Sequence, residues 1–408
     1  MPHYSEHINL LILPTDACNM NCVYCFHKPY SFDFEKISTQ TVKHLLDITT
    51  PHYRQINIIW HGGEPLLMGQ NFYEEMLSLQ KNYDCTIKNS IQSNLTLLTP
   101  ELADFLSSND ITISGSFDGI CNEQLRGCSN AILAGRKLMV DRGKKCGLIM
   151  VVSGGNINHL IDSYSFFKRE GVNFSLNLYL DQKDNHNATL QLEEHEAITR
   201  LCELFDHWAR DTTGTIHISY FKNILDFLLF RKKSLCSFTS CLGRWLGVSH
   251  DGTLGPCNRF FPKEYSFGNV NDYCDIGEAF ESEGFTNLLK KAIIRREKCK
   301  SCEIYAYCCG GCNNTALNEN GIENNGGLSC KVLLGVYKHI EAFLTNWQQE
   351  SNASSKYNPL LLSLLQKAAY SRDNIFPAVS DAGAQFIAPA IIQQGKKLNQ
   401  KNSKEMKS

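Results

Sequence analysis

Short apolar runs recur through the first half of the chain, separated by polar stretches with helical spacing. The runs are INLLIL (8–13), INIIW (56–60), TIKNSIQ (86–92), ITISGSF (111–117), GLIMVV (147–152) and FSLNLYL (174–180). Each has strand length. Between them, STQTVKHLLDI from Ser38 and TPELADFLSS from Thr99 show helical periodicity behind a Ser or Thr that can cap a helix N-terminus. Six strands, each followed by a helix, predict an α/β fold with a parallel sheet. Right-handed crossovers either curl such a series into part of a β/α barrel or leave it open, and periodicity does not choose.

The pattern changes after about residue 185. Helices are expected over 193–211 and near YFKNILDFLLFRKK (220–233), and then, from Cys236 to Cys330, the chain turns rich in cysteine, glycine and turn residues, with one good helix around 284–298. A region so poor in regular structure needs metal staples. VLLGVYKHIEAFLTNW (332–347) reads as helical, and the polar, lysine-rich end QQGKKLNQKNSKEMKS reads as disordered. The expected organisation is a β/α part with connecting helices over 1–225, a cysteine-rich domain over 226–350 and a C-terminal extension over 351–408. Beyond the β/α alternation no internal repeat is visible.

Composition narrows the function classes. The 408 residues are 43% hydrophobic with a formal net charge of −2, enough for a large core and without a basic field for nucleic acid. The longest apolar runs fall far short of the roughly 20 residues needed to cross a bilayer, and the N-terminus lacks the pattern of an export signal. The sequence therefore predicts a cytoplasmic protein with no nucleic-acid or membrane partner. Eighteen cysteines in a reducing compartment point to metal binding rather than disulfides.

CNMNCVYCF (18–26) places Cys18, Cys22 and Cys25 on a loop behind the first strand. Three thiolates on a [4Fe–4S] cube leave one iron open for chemistry; structural zinc would want a fourth ligand, for which His27 is a candidate. The spacing, with Tyr24 before the last cysteine, resembles the signature of the radical S-adenosylmethionine (SAM) superfamily. That resemblance implies that the open iron chelates the amino and carboxylate groups of SAM and that one electron cleaves it to a 5′-deoxyadenosyl radical. Tyr24 would lie against the adenine. HGGEP (61–65) resembles the family's methionine-binding element, with Gly62 and Gly63 allowing close backbone approach and Glu64 offering a carboxylate to the ammonium. QSNLTLL (92–98) and GSFDG (115–119) resemble segments of the peptide-modifying branch. There Ser116 would meet the SAM ribose or carboxylate, and Arg126 its carboxylate. Leu95 stands where that branch usually has glycine. Taken singly, Ser116, Asp118 and Arg126 also fit turn chemistry and surface ion pairing.

The later cysteines resemble the SPASM pattern, an auxiliary iron–sulfur domain attached to radical SAM enzymes that modify peptides and proteins. Cys236, Cys241 and Cys257 flank GVSHDGTLGPC, followed by Cys299-x2-Cys302-x5-Cys308-x3-Cys312 and finally Cys330. The family's crossed connectivity implies one auxiliary cluster on Cys236, Cys241, Cys257 and Cys312 and another on Cys299, Cys302, Cys308 and Cys330. With the SAM-binding cube this makes three [4Fe–4S] clusters. A zinc-ribbon reading explains paired cysteines but not the open three-cysteine site with GGEP behind it. Of the seven cysteines left over, at 85, 121, 128, 146, 202, 274 and 309, most read as small buried apolar residues, and Cys309 could replace its neighbour as a ligand.

The two resemblances imply a partial (β/α)6 barrel followed by a small cysteine-rich domain, and hydrogen abstraction from a peptide or protein followed by oxidation through the auxiliary clusters. A reductant such as flavodoxin or ferredoxin would supply the electron. Anaerobic sulfatase maturases are the first comparison. They carry an aspartate after the cysteine matching Cys257, as general base; here the residue is Asn258, an amide that cannot take up a proton at neutral pH. The departure shifts the expectation to enzymes that install carbon–carbon cyclophane or thioether crosslinks in ribosomally made peptides, with Cα-formylglycine formation from Cys or Ser as the alternative. The sequence identifies no catalytic base. Arg259 could bind a peptide carboxylate or be an ordinary surface arginine. The short stretch before the first strand leaves no room for a winged-helix leader-binding module, so leader recognition would fall to the barrel edge or to 335–385. An eight-cysteine auxiliary region argues against a small-molecule dehydrogenase. A non-enzymatic iron–sulfur scaffold, from a different class altogether, would have no reason to keep Glu64 beside an open iron.

Overall fold

In the computed structural model, residues 6–26, 35–180, 187–239, 241–259, 263–347 and 356–373 are described. The six predicted strands form as β1 (His7–Ile12), β2 (Gln55–Trp60), β3 (Thr86–Gln92), β4 (Thr112–Ser116), β5 (Leu148–Val152) and β6 (Phe174–Leu178), all paired in parallel. The alternation seen in the sequence is the burial pattern itself. Ile56, Ile58 and Trp60 are fully buried on one face of β2 while Gln55, Asn57 and Ile59 are half-buried on the other. The Thr39–Thr49 helix covers the sheet with Val42, Leu45 and Leu46, one helical face, and Ser38 caps it by accepting from the Thr41 amide. Thr99 does the same for Pro100–Ser108 by accepting from Leu102 N.

The architecture is a partial β/α barrel joined to a cysteine-rich region, and the join is tighter than the sequence suggests. The sheet has eight strands in the order β6-β5-β4-β3-β2-β1-β7-β8. β7 (Trp245–Val248) runs parallel to β1 in the register Asn9↔Trp245 to Ile12↔Val248, and β8 (Leu254–Gly255) pairs back on it antiparallel. The expectation of a region held chiefly by metal staples needs correction. Phe238, Leu246, Tyr265, Phe267, Phe285, Leu288 and Leu289 are buried in one apolar core continuous with that of the barrel. The expected helix forms as Glu283–Cys299, and another spans Leu328–Trp347. Among the described residues no helix is long and apolar enough to cross a membrane. The polar C-terminal stretch and His27 lie outside the described residues.

Because β1 to β6 are parallel, their C-terminal ends open on one edge of the sheet. In such folds this edge collects the functional loops. The segments after β1 (Cys18–Cys25), β2 (His61–Pro65), β3 (Ser93–Leu95) and β4 (Phe117–Arg126) all leave from it.

Candidate functional site

The loop after β1 is held against the loop after β2 by backbone. Gly63 N donates to Thr15 O at 3.2 Å and Glu64 N to Ala17 O at 2.8 Å. Glycine is required here by space: a Cβ on Gly63 would stand 2.0 Å from the Ala17 carbonyl oxygen. Gly62 takes a φ of +118°, a value that favours glycine. The pairing brings Glu64 close enough to Cys18 for its charge to act on that thiol.

Glu64 is fully buried, which pushes its carboxyl up to about 7 even though three donors hold it: Asn94 N at 2.7 Å, Leu66 N at 3.0 Å and Ser93 Oγ at 2.7 Å. A carboxylate has about four acceptor positions, so one is left for an ammonium. Asn94 also turns its side-chain amide to Asn19 Oδ1 (2.8 Å) and towards Cys18 Sγ (3.9 Å), tying β3 to the cysteine loop.

Cys18, Cys22 and Cys25 act on one another electrostatically, and burial, with Glu64 and the other two thiols adding, pushes Cys18 up to about 11. Burial likewise raises Cys22 against the opposing pull of Arg126. Crowded thiols in a low-dielectric loop hold their protons unless a metal takes the thiolates. Such a trio suits an iron–sulfur cube. Among the described residues no three His, Cys, Asp or Glu side chains could share a single metal ion; a cube, in which each thiolate binds a different iron, does not ask for that.

The loop after β4 contributes a feature that sequence reasoning missed. Asp118 is 0% exposed. It accepts from the Tyr24 hydroxyl, from Arg126 Nε at 3.0 Å and from Val151 N at 2.9 Å. The Arg126 guanidinium lies 5.1 Å from the centre of the Tyr24 ring and points Nη1 towards Cys22 Sγ at 3.9 Å. Burial works against the Arg126 charge, but Asp118, Tyr24 and Cys22 outweigh it, so its pKa is raised. Two predicted SAM contacts, Tyr24 and Arg126, are thus held as a pair by a carboxylate. GSFDG displayed that carboxylate, but nothing in the sequence connected it to Tyr24. Ser116 accepts from Gln92 Nε2 at 3.1 Å, fixed to the end of β3.

The later cysteines gather in two groups. Cys241 is partly buried, and its pKa is raised first by desolvation and then by Cys312, Cys236 and Cys257; Cys257 is pushed up to about 12 by desolvation and by Cys312 and Cys236. Cys308 is raised to about 12 by burial, then by Cys330, Cys299 and the adjacent Cys309, while Cys299 feels burial, Cys330 and Cys302. Arg259 stands between the first group and the β1 loop: its guanidinium lies 5.7 Å from the centre of the Phe26 ring, and its charge acts on Cys236 and Cys257. Asn258 is 8% exposed. Cys309 accepts from Lys233 Nζ at 2.9 Å.

Three thiols at the edge of a parallel sheet, with two further groups of cysteines in the C-terminal half, suit iron–sulfur clusters, and known families bear this out. Residues 12–167 match the radical SAM superfamily and 236–303 match SPASM, an iron–sulfur cluster-binding domain. The chain carries a radical SAM domain and a SPASM domain, and [4Fe–4S] clusters and SAM are the cofactors these domains imply. Among proteins it resembles, a cysteine-type anaerobic sulfatase-maturating enzyme of Clostridium perfringens is 27% identical over 333 residues, covering 75% of this chain and 88% of that one. The radical SAM cyclopropyl synthase TigE of Paramaledivibacter caminithermalis is 23% identical, covering 74% and 66% respectively. Native anSMEcpe with bound AdoMet shares the fold with a TM-score of 0.73 at 24% identity, covering 83% of this chain and 98% of that chain.

Proposed function

We propose that the chain is a peptide maturase that oxidatively joins side chains of a ribosomally made peptide. When bound, SAM on a cluster supplies the hydrogen-abstracting radical. In this reading Cys18, Cys22 and Cys25 hold that cluster and leave one iron open. Glu64, beside Gly62 and Gly63, takes the SAM ammonium; Arg126 takes its carboxylate, Tyr24 lies along the adenine, and Ser116 meets the ribose or carboxylate. Cys236, Cys241, Cys257 and Cys312, and Cys299, Cys302, Cys308 and Cys330, would hold two further [4Fe–4S] clusters, which would supply an electron-accepting function. Full thiolate ligation leaves them no open iron for substrate. A flavodoxin- or ferredoxin-type protein supplies the reducing electron.

The observation that carries the crosslinking reading is Asn258. This buried amide directly follows Cys257, where the sulfatase-maturase pattern has an aspartate base, and an amide takes no proton at neutral pH. Arg259, facing the β1 loop over Phe26, offers a cation to an acidic group of the peptide. A second reading, formylglycine formation on a Cys or Ser, is favoured by the similarity to sulfatase-maturating enzymes. Tandem mass spectrometry of a short peptide encoded beside the gene, co-produced anaerobically with the enzyme, separates them. Loss of two hydrogens, with fragmentation suppressed between two side chains and no hydrazide-reactive carbonyl, is the expected result. An aldehyde at a single Cys or Ser would overturn the crosslinking reading in favour of the second.

A further inference from the structure

The Glu283–Cys299 helix carries an arginine into the interior of the cysteine-rich half. Arg295 is 1% exposed. Its guanidinium donates to the carbonyls of Gly310 (2.8 Å), Gly311 (3.5 Å) and Ile322 and to Asn313 Oδ1 (2.5 Å). All of these partners are neutral oxygens. A buried cation without a countercharge is costly. Besides Arg296, the groups acting on it most strongly are the thiols of Cys312, Cys299 and Cys241, which become anionic once they bind iron. Asn313, buried and next in sequence to Cys312, passes the effect on, since its Nδ2 points to Cys241 Sγ at 3.8 Å while its oxygen accepts from Arg295.

We infer that Arg295 and Asn313 form a relay that raises the reduction potential of the auxiliary cluster held by Cys236, Cys241, Cys257 and Cys312. The inference rests on the reading of those four cysteines as cluster ligands. An N–H aimed at a ligand sulfur, and a buried positive charge behind it, both stabilise the one-electron-reduced cluster over the oxidised one. Neither residue touches the reacting atoms; both are positioning residues that set where an electron from the oxidised peptide settles.

The test is an EPR-monitored redox titration of the reconstituted enzyme, with iron counted per chain. Asn313→Leu, which keeps the branched shape but removes both the donor to Cys241 and the acceptor of Arg295, should make one auxiliary cluster harder to reduce. The expected shift is about tenfold in the reduced-to-oxidised ratio at fixed potential, or about 59 mV for one electron, with the other auxiliary cluster unmoved. Arg295→Lys, which keeps the charge but loses the fork, should move the same cluster by less. An unchanged midpoint in Asn313→Leu at full iron content would overturn the relay, as would an equal shift of both auxiliary clusters. Loss of iron from Asn313→Leu would also overturn it, since the role would then be scaffolding. Should Arg295→Lys fail to take up iron, Asn313→Leu decides alone. A wild-type enzyme with no auxiliary signal would instead remove the ligand reading itself, which the iron count distinguishes.

Discussion

Replacing Asp118 by asparagine tests how the SAM-facing side of the site is built. The carboxylate is fully buried and accepts from Tyr24, Arg126 and Val151. Asparagine keeps the volume and the bond from Val151 but turns one oxygen into an NH2 group facing two donors. It also leaves the Arg126 guanidinium, 9% exposed, without its countercharge. Breaking a buried ion pair from one side costs about 3–5 kcal/mol. The Tyr24 ring, 5.1 Å from the guanidinium, still offers a cation–π contact of roughly 1–2 kcal/mol, so the lower end, about 3 kcal/mol, is expected. Removing both charges is far less costly than removing one, so a cycle of Asp118→Asn, Arg126→Met and the double variant should return a coupling of about 2–3 kcal/mol. The assay is anaerobic urea unfolding of the reconstituted protein, paired with equilibrium SAM binding. SAM affinity should fall more than about tenfold, worth about 1.4 kcal/mol, at unchanged iron content, because Tyr24 and Arg126 lose their common anchor. A loss of stability below about 1 kcal/mol, the scale of an ordinary hydrogen bond, or additive single effects would refute the argument.

Two further outcomes follow from the same edge of the sheet. Leu95 adopts a φ of +65° and is fully buried, with Gly135 so close that a Cβ there would stand 2.2 Å from the Leu95 carbonyl oxygen. Leu95→Ala and Leu95→Gly should both destabilise by about 2–5 kcal/mol through lost packing. The glycine variant, relieved of a left-handed strain of about 1–2 kcal/mol, should be the more stable of the two in denaturant titration; the reverse order would sink the strain argument. Gly63→Ala would set a methyl against the Ala17 carbonyl at 2.0 Å, prising the β2 loop from the cysteine loop. SAM cleavage measured as 5′-deoxyadenosine release should drop at least about tenfold (about 1.4 kcal/mol of barrier) with the SPASM-region iron intact, and wild-type release would show the contact to be dispensable.

Legibility in the sequence followed the range of the interactions. β2 could be read because its alternation is local, and Ser38 and Thr99 because a cap acts within three residues of itself. β7 and β8 could not: they span four and two residues, β7 takes its strand character from β1, more than two hundred residues away in the chain, and β8 takes its own from β7. The cysteine spacings were readable because a cluster imposes a pattern along the chain. Asp118 was not, since its partner Tyr24 lies 94 residues earlier. Arg295 was hidden in IIRREK, which reads as the charged face of an amphipathic helix until Gly310, Ile322 and Asn313 close over it.

Glu64, which the sequence displayed, and Asp118 and Arg295, whose partners it did not, have one property in common that bears on how the site works. Glu64 and Asp118 are carboxylates buried completely at the ends of β2 and β4, and each accepts three hydrogen bonds from protein donors, at least one of them on a neighbouring segment. Arg295, of opposite charge, donates to protein oxygens behind the second set of cysteines. Each is a desolvated charge that is costly to bury and strongly felt by whatever lies beside it: Glu64 beside Cys18, Asp118 through Arg126 beside Cys22, Arg295 through Asn313 beside Cys241. The loops that carry the cysteines are therefore stapled by the same groups that set their electrostatics. A truncating substitution at any of the three moves geometry and potential together, whereas Asp118→Asn, and Asn313→Leu beside Arg295, keep the number and branching of side-chain atoms while changing charge or hydrogen bonding, and so come nearest to separating the two.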